Sequence, residues 1–258
     1  MSSDDVLNTH MQACIKGLQP KTQHVAEWIA MPTNLHGELY LRTAQALDTT
    51  SVAVSPALSV EFFRAFGVTR VALLTESPSH CPVDTSALIL AGDQFLALSF
   101  KHLTQSDLHP PVLTDGVSRL ISTASSITET QFHNTPSQMD VEIRSGELAL
   151  LLAGVLTGRS QETCTRLTRI GGLLGSVIGN QYHASDKSIR QRAPTTQPSG
   201  RPHVTVDGEP PIKPEPADYI DTVDSTELLK QAHIDLASIF GSIPSPVAVY
   251  LDRLADGV

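Results

Sequence analysis

His80, Cys81 and Asp84 place an imidazole, a thiol and a carboxylate in one short stretch of the chain. They are the one compact grouping whose types and spacing could do nucleophilic chemistry. A thiolate attacks carbon or sulfur once a nearby base or positive end has taken its proton. Adjacent side chains point in different directions, however, and the surrounding SPSHCPVD holds two prolines. A turn is the favoured reading of that stretch. His102 lies further on and could approach the same loop. The histidines do not fall in HExxH-like spacing, and His109 and His133 have no carboxylate cluster beside them, so no metal site is expected. Neither GxGxxG nor GxxxxGK[ST] is present. Gly171-Gly172-Leu173-Leu174-Gly175 lacks the lysine and the preceding strand of a phosphate loop. No catalytic residue and no cofactor is assigned.

Composition narrows the classes. The 258 residues carry a formal net charge of −9, with 40% hydrophobic and 17% charged residues. This is apolar enough for a core and low in charge for a soluble domain, where about a quarter is usual. An acidic chain is a poor candidate for generic nucleic-acid binding, which needs clustered cations. The basic run Lys187 to Arg192 is thin and reads as a solvated edge. Cys14, Cys81 and Cys164 are far apart and odd in number, so neither a disulfide framework nor zinc spacing is expected. The polar start MSSDDVLNTH resembles no signal or transit peptide, and no apolar run reaches the ~18 residues that span a bilayer. The expected compartment is cytoplasmic.

The elements that would position these groups read as follows. Ser3 with Asp4 and Asp5 is a helix start, and Val6, Leu7, Met11, Cys14, Ile15 and Leu18 form its apolar face. A second helix runs from Pro20 to about Met31, with Trp28 as a core anchor. Leu35 to Leu47 leans to helix. Thr50 to Ser55 reads as a strand, ALSVEFFRAF as a helix stopping at Gly67, and Thr69 to Thr75 as another strand. Strand, helix, strand makes a β-α-β unit. Ala87 to Ala91 and Phe95 to Phe100 then flank Gly92-Asp93-Gln94 as a β-hairpin. Both runs are almost continuously apolar, which implies burial on two faces. Asp115 to Ile127 is a further helix. The expected fold is therefore mixed α/β: a small, mostly buried sheet covered by helices.

From Met139 to Tyr182 two helices are joined at Gly158-Arg159-Ser160-Gln161. Gly146, Gly154 and Gly158, then Gly171, Gly175 and Gly179, recur at multiples of four, giving each helix a stripe without side chains. Close internal packing is the favoured reading, and an outward subunit contact through Gly171, Gly175 and Gly179 is the alternative. Membrane insertion is disfavoured because the apolar cores are short. The expected organisation is a body over 1–184, a Pro-rich flexible linker over 185–224 and a helical docking segment over 225–258. That segment presents Leu228, Leu229, Leu236, Ile239, Phe240, Tyr250 and Leu251 for burial.

Together these features point to a non-enzymatic structural or assembly protein that self-associates. Its C-terminal helices would dock on a neighbouring subunit. A viral capsid or capsid-associated protein, outer or scaffolding and hence located in the virion, fits the composition. One alternative is a cytosolic hydrolase or transferase using Cys81 with a histidine. The other is a regulatory adaptor whose Pro-rich linker is the ligand of another domain.

Overall fold

The computed structural model describes residues 3–29, 34–48, 53–74, 84–133, 137–192 and 224–256. Among these residues every regular element is an α-helix: α1 (Ser3–Lys16), α2 (Pro20–Ile29), α3 (Leu35–Leu47), α4 (Val54–Leu74), α5 (Thr85–Thr104), α6 (Pro110–His133), α7 (Gln138–Leu156), α8 (Gln161–Arg192), α9 (Ser225–Phe240) and α10 (Ser245–Asp256). The expected α/β sheet is therefore corrected to a helical bundle.

The correction has a local cause at each proposed strand. Thr69 to Leu74 continues α4 instead of forming a strand. Gly67, taken as a helix stop, lies inside that helix because a Cβ there would come within 2.6 Å of Val141 Cγ1 on α7. Thr69 is accommodated by donating its hydroxyl to the Phe66 carbonyl at 2.6 Å. The proposed hairpin is likewise one helix, α5. Gly92 marks no turn: a Cβ on it would lie 2.8 Å from Thr69 Oγ1, so it is a point of close approach between α4 and α5. Asp84 starts α5 by accepting from the Ala87 amide at 2.7 Å. Residues 50–52 of the first proposed strand lie outside the described residues, and Val54 and Ser55 already belong to α4.

Two long helices organise the core. α4 and α5 run antiparallel, with Ser59 against Ser99 and Phe62 against Phe95. α7 packs on α8, α3, α4 and α6. It starts with a capping box between Ser137 and Asp140. Its end turns through Gly158 at φ 69°, where the Arg159 amide reaches back to the Gly154 carbonyl at 2.9 Å.

The glycine stripe lies inside the α7–α8 contact. A Cβ on Gly146 would be 2.2 Å from the Gly171 carbonyl oxygen, and one on Gly175 would be 2.4 Å from that of Glu142. Each interior glycine carries a helix-propensity penalty of about 1 kcal/mol relative to alanine, which backbone-to-backbone packing offsets.

The last two helices pack on their own chain. α9 lies on α8, with Arg169 bonded to Asp235 at 2.6 Å. α10 lies on α3, where the Tyr250 hydroxyl donates to the Leu35 carbonyl at 3.1 Å. Gln181 Nε2 also donates to the Leu254 carbonyl at 2.6 Å. The apolar faces that would dock on a neighbour are taken up here, with Leu236, Tyr250 and Leu251 buried. Leu228, Leu229, Ile239 and Phe240 are half-buried against the same core.

Candidate functional site

The interior of the bundle holds charge. Glu61 and Arg64 sit one turn apart on α4, in an otherwise apolar run, and both are buried. Arg64 reaches α7, where its Nε donates to Glu142 at 2.9 and 3.1 Å. The Arg64 and Glu142 side chains are 5% and 0% exposed. Burial pushes the Glu142 carboxyl up, but the Arg64 charge, His36 and the hydrogen bonds it accepts outweigh this and hold it below the ordinary value.

His36, in the first turn of α3, stands over the same carboxylate. Its Nε2 is 3.2 Å from the Glu142 carbonyl and 3.4 Å from the Glu142 carboxylate. Burial, with Arg64 adding to it, drives the imidazole down to about 4 against the opposing pull of Glu142. The ring is therefore neutral at pH 7, and the geometry assigns its proton to Nε2 as donor. Nδ1 is buried and has no hydrogen-bond partner among the described residues.

Glu61 completes the group from below. Its Oε1 accepts from the Gly37 amide at 2.6 Å, and its carboxylate also takes the His36 amide. Asn34, at the N-cap position of α3, makes no side-chain cap, so Glu61 supplies that cap from another helix. Burial pushes the Glu61 carboxyl up, while Arg64 and the two amides pull against it. Gly37 leaves the space this needs: a Cβ there would be 3.0 Å from the Ala57 carbonyl and 3.1 Å from Glu61 Cγ. A third interior acid, Glu38, is held between Arg42 at 3.3 Å and Arg253 of α10.

All three interior carboxylates are thus engaged by guanidinium groups or backbone amides. The arrangement neutralises charge and fixes the mutual position of α3, α4 and α7. The three carboxylates are buried and suit no proton exchange with a bulk substrate. A hard divalent cation would need several free carboxylate oxygens. Among the described residues no group of three or more His, Cys, Asp or Glu is placed to hold a metal.

The residues singled out from the sequence are distributed as follows. His80 and Cys81 lie outside the described residues, and Asp84 serves as the α5 cap with Lys21 at 3.6 Å. His102 stacks on Phe62, ring centroids 5.4 Å apart, and its Nε2 meets Cys14 Sγ at 3.5 Å. Burial pushes the Cys14 thiol up, so it is a poor nucleophile at neutral pH. Gly171, Gly175 and Gly179 face α7 within the chain, the last against Met139. The side chains of Lys187 to Arg192 lie outside the described residues, although α8 extends through them. The Glu61–Arg64–His36–Glu142 group was missed by sequence reasoning. Its one signal was a pair of opposite charges three residues apart inside an apolar helix.

No known family profile matches this sequence. No characterised protein matches it by sequence. Solved structures do match. The geranylgeranyl pyrophosphate synthetase of the archaeon Geoglobus acetivorans superposes with a TM-score of 0.67 at 19% identity, covering 98% of this chain and 96% of that one. The chain has the prenyl diphosphate synthase fold. A geranyltransferase from Helicobacter pylori, complexed with magnesium and isoprenyl diphosphate, gives 0.61 at 14% identity over 100% and 99% of the two chains. The geranyl diphosphate synthase small subunit from Antirrhinum majus gives 0.55 at 13% identity over the whole of both.

The prenyl-synthase fold overturns the functional expectations. The structural, capsid and virion reading is corrected, because the neighbours are prenyl diphosphate synthases and the docking helices pack on their own chain. The reading of a hydrolase or transferase using Cys81 with a histidine finds no support in these neighbours either, and Cys81 lies outside the described residues. The adaptor reading, carried by the Pro-rich linker, also gives way to the end-to-end match with the prenyl-synthase fold. No described helix is long and apolar enough to cross a membrane.

Proposed function

We propose that this chain is a component of a prenyl diphosphate synthase and takes part in the condensation of isoprenyl diphosphates. The observation that carries this is the end-to-end match of the fold, 98% of this chain against 96% of a geranylgeranyl pyrophosphate synthetase. A bundle matched over its full length retains the enclosing architecture as well as a local motif. The proposed setting is the cytoplasm, and the proposed assembly is an oligomer. Its layout is a body over 1–184, a linker over 185–224 and a C-terminal segment over 225–258.

One observation favours a companion role over synthesis by this chain alone. Magnesium accompanies isoprenyl diphosphate in one neighbour, and it is held by hard oxygen ligands. Here Glu38, Glu61 and Glu142 have their oxygens engaged, so the described interior does not fit that ion. In the whole sequence acidic residues stand side by side only at Asp4-Asp5. A companion chain with free interior carboxylates would supply the metal, while this chain sets the behaviour of the complex.

The test is diphosphate release from labelled isoprenyl diphosphates with magnesium, using this chain alone and with a prenyl synthase co-purified from the same cells. The expected result is no turnover alone and a changed rate or product length in the mixture. Turnover by the purified chain alone would overturn the companion role. No turnover alone and no effect on the synthase would overturn the proposal as a whole.

A further inference from the structure

Cys14, in the last turn of α1, and His102, near the end of α5, face each other with Sγ 3.5 Å from Nε2. Neither belongs to the buried charge group around Glu142. The imidazole is held by stacking on Phe62, with the two rings 6° from parallel. His102 is buried and Cys14 half-buried, so the pair is reached from the sulfur side. The thiol donates to Nε2, which puts the imidazole proton on Nδ1 and aims the Nε2 lone pair at sulfur. Burial pushes the thiol up and the imidazole down, so both are neutral at pH 7.

Thiolate sulfur and imidazole nitrogen are donors that soft cations prefer. Met11, one turn earlier on α1, adds a buried thioether of the same kind, 2% exposed. Among the described residues the groups whose charge acts on the pair are Lys101 and His10, and no carboxylate. A hard cation therefore finds no carboxylate ligand here. Charge narrows the choice further. A thiolate with a monovalent ion is neutral, whereas a divalent ion leaves a net positive charge beside Lys101 in a half-buried place. We infer that this pair is a site for a soft monovalent cation of the copper(I) class, bound through Cys14 Sγ and His102 Nε2. The ion replaces the thiol proton, which leaves to solvent, and neither the metal nor the sulfur changes oxidation state. Bonds of about 2.3 Å to sulfur and about 2.0 Å to nitrogen span the 3.5 Å between the donors at an angle of roughly 110°, so α1 and α5 keep their places. Further positions on the ion are left for a thioether such as Met11 or for solvent. The site goes beyond the prenyl-synthase reading and does not rest on it.

Anaerobic titration of the full chain with copper(I), in competition with a chromophoric copper(I) chelator, tests it. Cys81→Ser serves as the reference protein, because the Cys81 thiol would compete for the ion. The reference is expected to bind one copper(I), which excess zinc(II) does not displace. Adding Cys14→Ser is expected to abolish binding and adding His102→Gln to weaken it, with circular dichroism confirming that each variant is folded. In the reference itself the His102 Nε2 resonance should move on addition of one equivalent, a readout that needs no further substitution. A reference protein that takes up no copper(I), keeps it after Cys14→Ser or yields it to zinc(II) overturns the inference. So does a His102 resonance that stays in place while copper binds. Prenyl transfer is read separately, so its loss leaves this result untouched.

Discussion

Arg64 on α4 donates its Nε to both carboxylate oxygens of Glu142 on α7, at 2.9 and 3.1 Å, with almost no access to water. A buried pair of this kind adds little net stability over apolar residues of the same shape, but breaking it strands a charge. Arg64→Met is therefore expected to lower unfolding free energy by about 3–5 kcal/mol. The double variant Arg64→Met with Glu142→Met should recover most of that. Urea unfolding of the three proteins checks it. If the double variant is no more stable than the single one, the pair is not the source of the loss.

Stability should fall between neutral pH and pH 4, and His36 should account for part of the fall. Its imidazole titrates near 6.5 when free and at about 4 in the fold. Between those values the unfolded chain takes up a proton that the folded chain does not. Folding is thus fully favoured by this group above 6.5, loses ground as pH drops through the window, and loses no more below about 4. The shift corresponds to roughly 3 kcal/mol. Urea midpoints across this range should show a shallower slope in His36→Gln than in wild type.

Alanine at two glycines of one helix should have different effects. At Gly175 the new methyl would press on the Glu142 carbonyl at 2.4 Å, and only a backbone shift relieves it. At Gly172 it meets Glu147 Oε1 at 3.3 Å, the end of a side chain that can move. Gly175→Ala is expected to destabilise by about 1–3 kcal/mol. Gly172→Ala should be close to neutral, with better helix propensity offsetting the displaced side chain. Thermal melts separate the two, and equal melting temperatures would remove the close-packing account of the stripe.

Removing the Tyr250 hydroxyl should loosen α10 from α3. Tyr250→Phe deletes the 3.1 Å bond to the Leu35 carbonyl, an effect of about 1 kcal/mol. Added Arg253→Ala releases Glu38 on the same contact. Protease should cut the double variant near its C-terminus faster than wild type, at a rate independent of protein concentration. A concentration-dependent rate would mean that α10 is protected by another molecule.

Much of the helical order was legible. Ser3, Pro20 and Ser225 mark real helix starts, and Leu35 to Leu47 is the helix its composition favours. The α7–α8 pair was readable because a polar turn with Gly158 separates two long periodic stretches. The supposed strands were not readable as helices. α4 is buried around most of its circumference, and the exposed side of α5 carries Ile89, Leu90 and Ala97, so neither helix shows the polar face that reveals a helical period. Gly67 and Gly92 then imitate stops, although their absent side chains serve contacts with α7 and α4. The buried group was half legible. Glu61 and Arg64 are conspicuous in their run, but nothing in their spacing says that Glu142 and His36 complete them.

The cap that Glu61 gives α3 has a kinetic consequence. Two first-turn amides of α3 are satisfied by a side chain from the next helix along, not by Asn34 at its own start. The first turn of α3 is therefore a tertiary product and cannot be secured before α4 has packed against it. A fragment ending at Asp48 should fray at His36 and Gly37, while the same stretch in the full chain resists amide exchange. The order of assembly is thereby biased, with α4 in place first and the beginning of α3 closing onto it afterwards.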